Sequence, residues 1–268
     1  MSSIDGTGTP QAERSKLADG ARHAVITGGG SGIGAAIARA LGSDGNRVSL
    51  VGRRPEPIAD VARAIGGFAF AADVTDRPSV DAAFDAARDA HGPIEILINC
   101  AGDAPSGKFA NVSIEQWRAT LAVNLDALFH CTQAALPDLL AAAVGRVVTV
   151  ASTAGLKGYG YVAPYVAAKH GAIGLTRALA AEYAKTALTF NAVCPGFTDT
   201  DLVTRAVATI RASTGRDEDA ARTELTRYNP QLRLIAPEEV AAAVLWLCRR
   251  DSQSITGQAI AVAGGEVM

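Results

Sequence analysis

The sequence predicts an α/β fold: a Rossmann-like, doubly wound, seven-stranded parallel sheet with helices on both faces. Three observations lead there. Short β-rich runs alternate with helix-like runs along the chain, several of the strand runs are apolar on both faces, and the first strand leads into a glycine cluster that opens a helix. Such alternation builds repeated strand-helix-strand units, which wind into an open parallel sheet. Strands apolar on both sides belong to a sheet covered on both sides.

Taken in order, the strand candidates are 23–27, 47–51, 67–71, 94–99, 146–151, 188–194 and 258–262. Between them, residues 32–41, 58–65, 79–90, 114–140, 165–183 and 237–248 carry apolar side chains at the three- and four-residue spacing of amphipathic helices. The stretch 199–236 breaks this rhythm, with two helix-like runs (202–212 and 218–228) and no strand, and is expected to form a lid. With 268 residues and no Pro/Gly/Ser linker, one catalytic domain over residues 21–268 is expected, preceded by a flexible polar tail over residues 1–20. That tail has neither the apolar core of a secretory signal nor an arginine-rich amphipathic pattern.

Composition narrows the function classes. A net charge of -2 offers no basic field for nucleic acid or anionic lipid. No apolar run approaches the ~18 residues that span a bilayer. A cytoplasmic protein is expected, with no nucleic-acid and no membrane partner. Cys100, Cys131, Cys194 and Cys248 lie far apart in apolar surroundings and read as reduced core thiols, neither a disulfide framework nor a metal site.

Directly after the first strand runs Thr27-Gly28-Gly29-Gly30-Ser31-Gly32-Ile33-Gly34, then an alanine-rich helix. Glycines permit a tight turn and let backbone N–H groups approach a pyrophosphate, while the helix N-terminus adds partial positive charge. A lone glycine cluster is weak evidence; its place between strand and helix gives it meaning. In NAD-binding sites an acid near the end of the second strand grips the ribose. Here Gly52 stands where that carboxylate would be, and Arg53 and Arg54 follow. Two guanidiniums suit a 2′-phosphate, so NADP(H) is favoured and NAD(H) stays possible. Asp73-Val74 follows the third strand and Asn99-Cys100-Ala101-Gly102 the fourth, at the carboxyl edge where open α/β sheets bind ligands.

Ser152 follows the fifth strand, and Tyr165 stands four residues before Lys169 in a helical run. That spacing puts phenol and ammonium on one face. A free tyrosine has a pKa near ~10, so a nearby cation eases transfer of its proton at neutral pH. His170 projects in another direction and is read as structural.

These residues identify a resemblance. From about Ala21 to Gly265, through Thr27–Gly34, Asn99–Gly102, Asn124 in Val-Asn-Leu, Ser152, Tyr165, Lys169 and Pro195-Gly196, the chain resembles a classical short-chain dehydrogenase/reductase. The resemblance implies that Tyr165 acts as general acid in reduction and base in oxidation, with Ser152 bonding the substrate oxygen. It further implies that Lys169 lowers the tyrosine pKa and holds the nicotinamide ribose, and that Asn124 places a water in the proton path. Gly28, Gly32 and Gly34 would cradle the pyrophosphate, with Thr27, Ser31 and Ile33 in the same turn. Asp73 and Val74 would meet the adenine, and Asn99, Ala101 and Gly102 would lie along the cofactor. Pro195, Gly196, Thr198 and Thr200 would flank the nicotinamide. Cys100 departs from the family's usual Asn-Asn-Ala-Gly, which puts the packing beside the cofactor in question.

The substrate is less legible. The stretches 150–172 and 189–202 look similar to polyketide ketoreductases and acetoacetyl-CoA or 3-oxoacyl reductases, which points to a ketone or acyl-thioester substrate. Residues 102–109 and 156–161 would line the pocket, and Tyr159 and Tyr161 suggest an aromatic or alicyclic group. Six lid arginines, including Arg205 and Arg233, are matched by six acids and read as surface ion pairs. The other readings are an NAD-dependent alcohol or hydroxyacyl dehydrogenase and a non-catalytic dinucleotide-binding regulator. The resemblance implies a homotetramer or homodimer, assembled through 114–140, 165–183 and the C-terminal strand.

Overall fold

The computed structural model describes residues 20–268; apart from Gly20, the expected tail lies outside the described residues. Seven strands, β1 (His23–Thr27), β2 (Arg47–Gly52), β3 (Phe68–Ala71), β4 (Ile96–Asn99), β5 (Arg146–Val150), β6 (Thr189–Pro195) and β7 (Ala259–Val262), form one sheet in the order β3-β2-β1-β4-β5-β6-β7. All pairings are parallel. The helices are α1 (Gly32–Ser43), α2 (Pro55–Ile65), α3 (Arg77–His91), α4 (Ile114–Leu121), α5 (Ala127–Ala141), α6 (Ala163–Glu182), α7 (Asp201–Thr214), α8 (Glu218–Thr226) and α9 (Pro237–Cys248).

Successive side chains of a strand point to opposite faces, and the core divides accordingly. Ala24 and Ile26 of β1, with Ile96 and Ile98 of β4, pack against Ile37 and Leu41 of α1, Ile58 of α2 and Val244 and Leu247 of α9. Val25 and Leu97 face the other way, toward Val80 and Phe84 of α3, Leu139 of α5 and Ala180 of α6. Phe84 and Leu139 are fully buried, each worth about 1.5–3 kcal/mol relative to exposure. Local signals set the helix ends: Asp76 accepts from the Ser79 amide at the start of α3, and Ser113 and Gln116 form a reciprocal capping box on α4.

The strand order reverses between β1 and β4, which pair in parallel with Thr27 opposite Asn99. That reversal opens a crevice at the carboxyl edge of the sheet. At the opposite edge, the Arg146 guanidinium is fully buried and donates to the carbonyls of Gly145 at 2.8 Å and Arg249 at 3.1 Å, while Arg22 donates to Cys248 O. Both cations thereby satisfy the carbonyl end of α9.

One expectation fails in detail. The single helix read over 114–140 is interrupted by a one-turn π-helix, Ala122–Asp126, between α4 and α5, with Asn124 buried inside it. Apolar spacing reports which face is buried and does not register one extra backbone residue, so the interruption leaves no trace in the pattern. The other elements begin and end within about two residues of expectation, as helix and strand ends fray; the exceptions are α2 and α7, whose Pro55 and Asp201 starts and Thr214 end fall outside the apolar runs, and α8, which stops at Thr226. Among the described residues no helix is long and apolar enough to cross a membrane, and no three His, Cys, Asp or Glu cluster as a metal site.

His23 is fully buried, with Nδ1 against Gly92 O at 2.7 Å and Nε2 against Ser49 Oγ at 2.8 Å. Burial lowers its pKa to about 4. The unfolded chain therefore takes up a proton near pH 6.5 that the folded chain refuses, so this residue's contribution, ~3 kcal/mol, is present above pH 6.5 and lost as the pH falls toward 4. Urea denaturation across that window should show the acid limb flattened in His23→Gln.

Candidate active site

The glycine turn joins β1 to α1 with little room to spare. Gly28 has φ of +69°, and a Cβ there would lie 2.9 Å from Ala101 Cα, so a side chain would push the turn off the loop after β4. A Cβ on Gly34 would lie 2.2 Å from Gly28 O. Ser31 is the N-cap of α1, yet its side chain makes no capping bond, and the first-turn N–H groups face the crevice without a side-chain partner. Ile33 packs on the core beneath. Thr27 is buried, and its hydroxyl accepts from the amides of Cys100 at 3.0 Å and Ala101 at 3.2 Å, tying the loop after β4 to the turn.

Arg53 and Arg54 are exposed at the end of β2, and Arg54 Nη2 reaches Ser31 Oγ at 3.4 Å. Asp73 Oδ1 accepts from the Thr75 amide at 2.9 Å and hydroxyl at 2.8 Å. Those bonds, with a smaller pull from Arg53, hold its carboxyl below the usual range. Val74 is buried beside it. Across the crevice Thr198 donates to Gly196 O at 3.0 Å and Thr200 to Thr198 O at 3.2 Å, and Thr200 Cγ2 lies 2.9 Å from where a Gly32 Cβ would be. The segment from Pro195 thus curls back over the start of α1.

Ser152, Tyr165, Lys169 and Asn124 come together at the same edge. Ser152 lies just past β5, and Tyr165 and Lys169 are one turn apart on α6. The Lys169 ammonium is buried, donates to Val150 O at 2.9 Å and stands 5.5 Å from the Tyr165 ring centre. Burial drops its pKa to about 8. Asn124 donates to Asp103 O at 2.8 Å and Thr120 O at 3.0 Å, leaving Oδ1 buried without a partner. A Cβ on Gly102 would lie 2.8 Å from that Oδ1 and 3.7 Å from Lys169 Nζ; its absence keeps the space between them open. Asn99 donates to Thr132 Oγ1 at 3.1 Å, and its Oδ1 is likewise buried and unpartnered.

The tyrosine does not follow the expected lowering. Burial pushes Tyr165 up to about 12, opposed by the Ser152 hydroxyl and aided by the Asp103 charge. Lys169 is itself discharged by burial and spends one proton on Val150 O, so its field on the phenol is weak. Cys100 is pushed up to about 12 by burial and is an unreactive thiol. His170 is exposed and bonds the carbonyl of its own helix at Val166.

The stretch 199–236 holds α7 and α8, which share a small core of Val203, Val207, Ala221 and Leu225. Its arginines pair as expected: Arg211 with Glu218, Arg216 with Glu224, Arg222 with Asp199 and Arg233 with Glu239. Arg205 instead crosses the crevice to Asp103 at 2.8 Å. Two further polar residues escaped the sequence reading, Lys157 and Glu266, whose side chains meet beside Tyr159. No spacing pattern links positions so far apart.

The short chain dehydrogenase family matches residues 22–211. The cis-4-hydroxycyclohexanecarboxylate dehydrogenase of Sinomonas cyclohexanicum is 38% identical over 91% of this chain and 96% of its own. The 3-oxoacyl-acyl-carrier-protein reductase MabA of Mycobacterium tuberculosis is 34% identical over 91% of this chain and 92% of its own. Among solved structures, actinorhodin polyketide ketoreductase with NADPH superimposes with a TM-score of 0.89 at 33% identity, covering 92% of this chain and 97% of that one. The chain belongs to the short-chain dehydrogenase family. It is an oxidoreductase of the CH–OH and C=O groups.

Because a Cβ at Gly34 collides with a carbonyl in the turn itself, Gly34→Ala should cost roughly 1–3 kcal/mol in urea denaturation.

Proposed function

We propose that the protein is an NADP(H)-dependent reductase that converts a ketone or 3-oxoacyl thioester to the secondary alcohol, with Tyr165 as general acid. The observation that carries this reading is the convergence of Ser152, Tyr165, Lys169 and the unpartnered Asn124 Oδ1 at the carboxyl edge of the β1/β4 crevice.

The residues fit a dinucleotide. A turn that admits no side chain at Gly28 or Gly34, and a helix start without a side-chain cap, suit a pyrophosphate. Arg53 and Arg54 beside Ser31 suit a ribose phosphate, and Asp73 with Val74 an adenine edge. Asn99, Ala101 and Gly102 would run along the ribose, and Pro195, Gly196, Thr198 and Thr200 would border the nicotinamide. When bound, the cofactor supplies the hydride.

On the protein side, Ser152 Oγ donates a hydrogen bond to the carbonyl oxygen and Tyr165 delivers its proton there as negative charge builds. A phenol held near pH 12 stays protonated at neutral pH, ready to act as an acid. Lys169 holds a ribose hydroxyl and, once charged, steadies the phenolate. Asn124 Oδ1 accepts from a water that returns the proton to Tyr165. In oxidation the same groups run in reverse. That direction is favoured by relatives named dehydrogenases, the D-beta-hydroxybutyrate dehydrogenase of Rhizobium meliloti among them, and makes an NAD-linked alcohol dehydrogenase the second reading. We further propose one domain over residues 21–268, a lid over about 199–236, a cytoplasmic location, and a homodimer or homotetramer like that implied by the family resemblance.

Tyr165→Phe should lower NADPH-dependent ketone turnover by roughly 10²–10⁴ while NADPH still quenches tryptophan fluorescence. A variant that keeps wild-type turnover would remove Tyr165 from the mechanism. Replacing Arg53 and Arg54 by alanine should raise the Kd for NADPH by roughly 10-fold or more, one charge-assisted contact's worth, and leave that for NADH unchanged.

A further inference from the structure

Glu266 sits three positions from the end of the sequence, yet its side chain is fully buried. The turn that brings it inward is held by the lid: Gly264 and Gly265, with φ of +60° and +92°, pack against Asn229 and Pro230. Glu266 Oε1 accepts from the Tyr159 hydroxyl and lies 3.1 Å from Lys157 Nζ, while Oε2 has no partner. The Tyr159 hydroxyl also meets Thr153 Oγ1 at 2.7 Å, one residue past Ser152. Tyr159 stands edge-on to Phe197 and Tyr228 at 6.1 and 5.8 Å, and those two rings are 5.8 Å apart. The Lys157 ammonium, about one-third exposed, lies over the rings of Tyr159 and Tyr228 at 5.0 and 5.6 Å. Three segments that border the crevice, the loop after β5, the chain after Pro195 and the end of the lid, thus meet in one aromatic wall.

We propose that Glu266 is a specificity-determining residue: it fixes this aromatic wall and neutralises Lys157, so that the cleft favours an uncharged ring ketone over one bearing a carboxylate. The physical reasoning has two parts. Edge-to-face rings offer a flat apolar surface that a cyclic substrate covers. An ammonium already paired with a buried carboxylate has little attraction left for a second anion, whereas an unpaired one beside low-dielectric rings would draw it. The proposal rests on the carbonyl-reductase reading of the Tyr165 site.

The test compares 4-methylcyclohexanone with 4-oxocyclohexanecarboxylate, by NADPH oxidation and, independently of turnover, by calorimetric titration of the NADPH-loaded protein. Glu266→Gln keeps the shape and an acceptor for Tyr159 but frees the Lys157 charge. It should raise the carboxylate-to-neutral ratio of kcat/KM about 10-fold, through KM, with the same change in the ratio of Kd. Adding Lys157→Gln to it should return the ratio to wild type. Thermal melts confirm that the variants are folded. An unchanged ratio in Glu266→Gln, or equal losses on both ketones, overturns the proposal, as does a ratio that Lys157→Gln fails to restore. Failure of the underlying reading looks different: wild-type protein would bind both ketones, and Tyr165→Phe would leave turnover untouched.

Discussion

The reversal of strand order between β1 and β4 is the constraint on which the site depends. At that point two crossovers leave in opposite directions, so no helix covers the carboxyl ends of the two strands and a crevice opens. Everything chemical in the chain is delivered to this edge: the glycine turn by β1, the Asn99 loop by β4, Ser152 by β5, the Pro195 segment by β6. The Thr27 hydroxyl, accepting two amides from the neighbouring loop, keeps the two sides of the crevice in register. A rigid sheet thereby converts residues distant in sequence into one constellation, and the loops need only be short.

Burial does the electrostatic tuning. Lys169 and Tyr165 are both driven toward their neutral forms, and two amide oxygens, on Asn99 and Asn124, lack partners inside the protein. Buried polar groups left in that condition cost stability. The site is therefore assembled at an energetic disadvantage, held in place by sheet and helix contacts elsewhere, and its unmet hydrogen-bonding capacity is what a substrate, a cofactor hydroxyl or a water can satisfy.

Much of this was legible in the sequence because it is written locally. Strands betray themselves by runs such as Val147–Val150, and helix ends by residues such as Asp76, Ser113 and Gly66. The Thr27–Gly34 turn and the Tyr165/Lys169 pair are short-range patterns too, and the structure sets both at the same crevice. What escaped is non-local or leaves the apolar pattern intact. The Arg205–Asp103 and Glu266–Lys157 pairs join positions separated by about a hundred residues, and only the folded path makes them neighbours. The height of the Tyr165 pKa was likewise hidden, since it reports surroundings, and a Tyr-x-x-x-Lys spacing says nothing about how dry those surroundings are.

The π-turn at Ala122–Asp126 has a consequence for how this architecture can change. Each residue of a regular helix advances the winding by about 100°, so deleting one residue here would give a tidier backbone and yet rotate everything after it, turning Cys131, Ala135 and Leu139 out of the interior. The irregular winding is thus trapped: the apolar face of α5 cannot stay inside unless Asn124 stays misaligned. A segment in this position tolerates substitution far better than a change in length, and shuffled or grafted versions of the domain must cut the chain on either side of it.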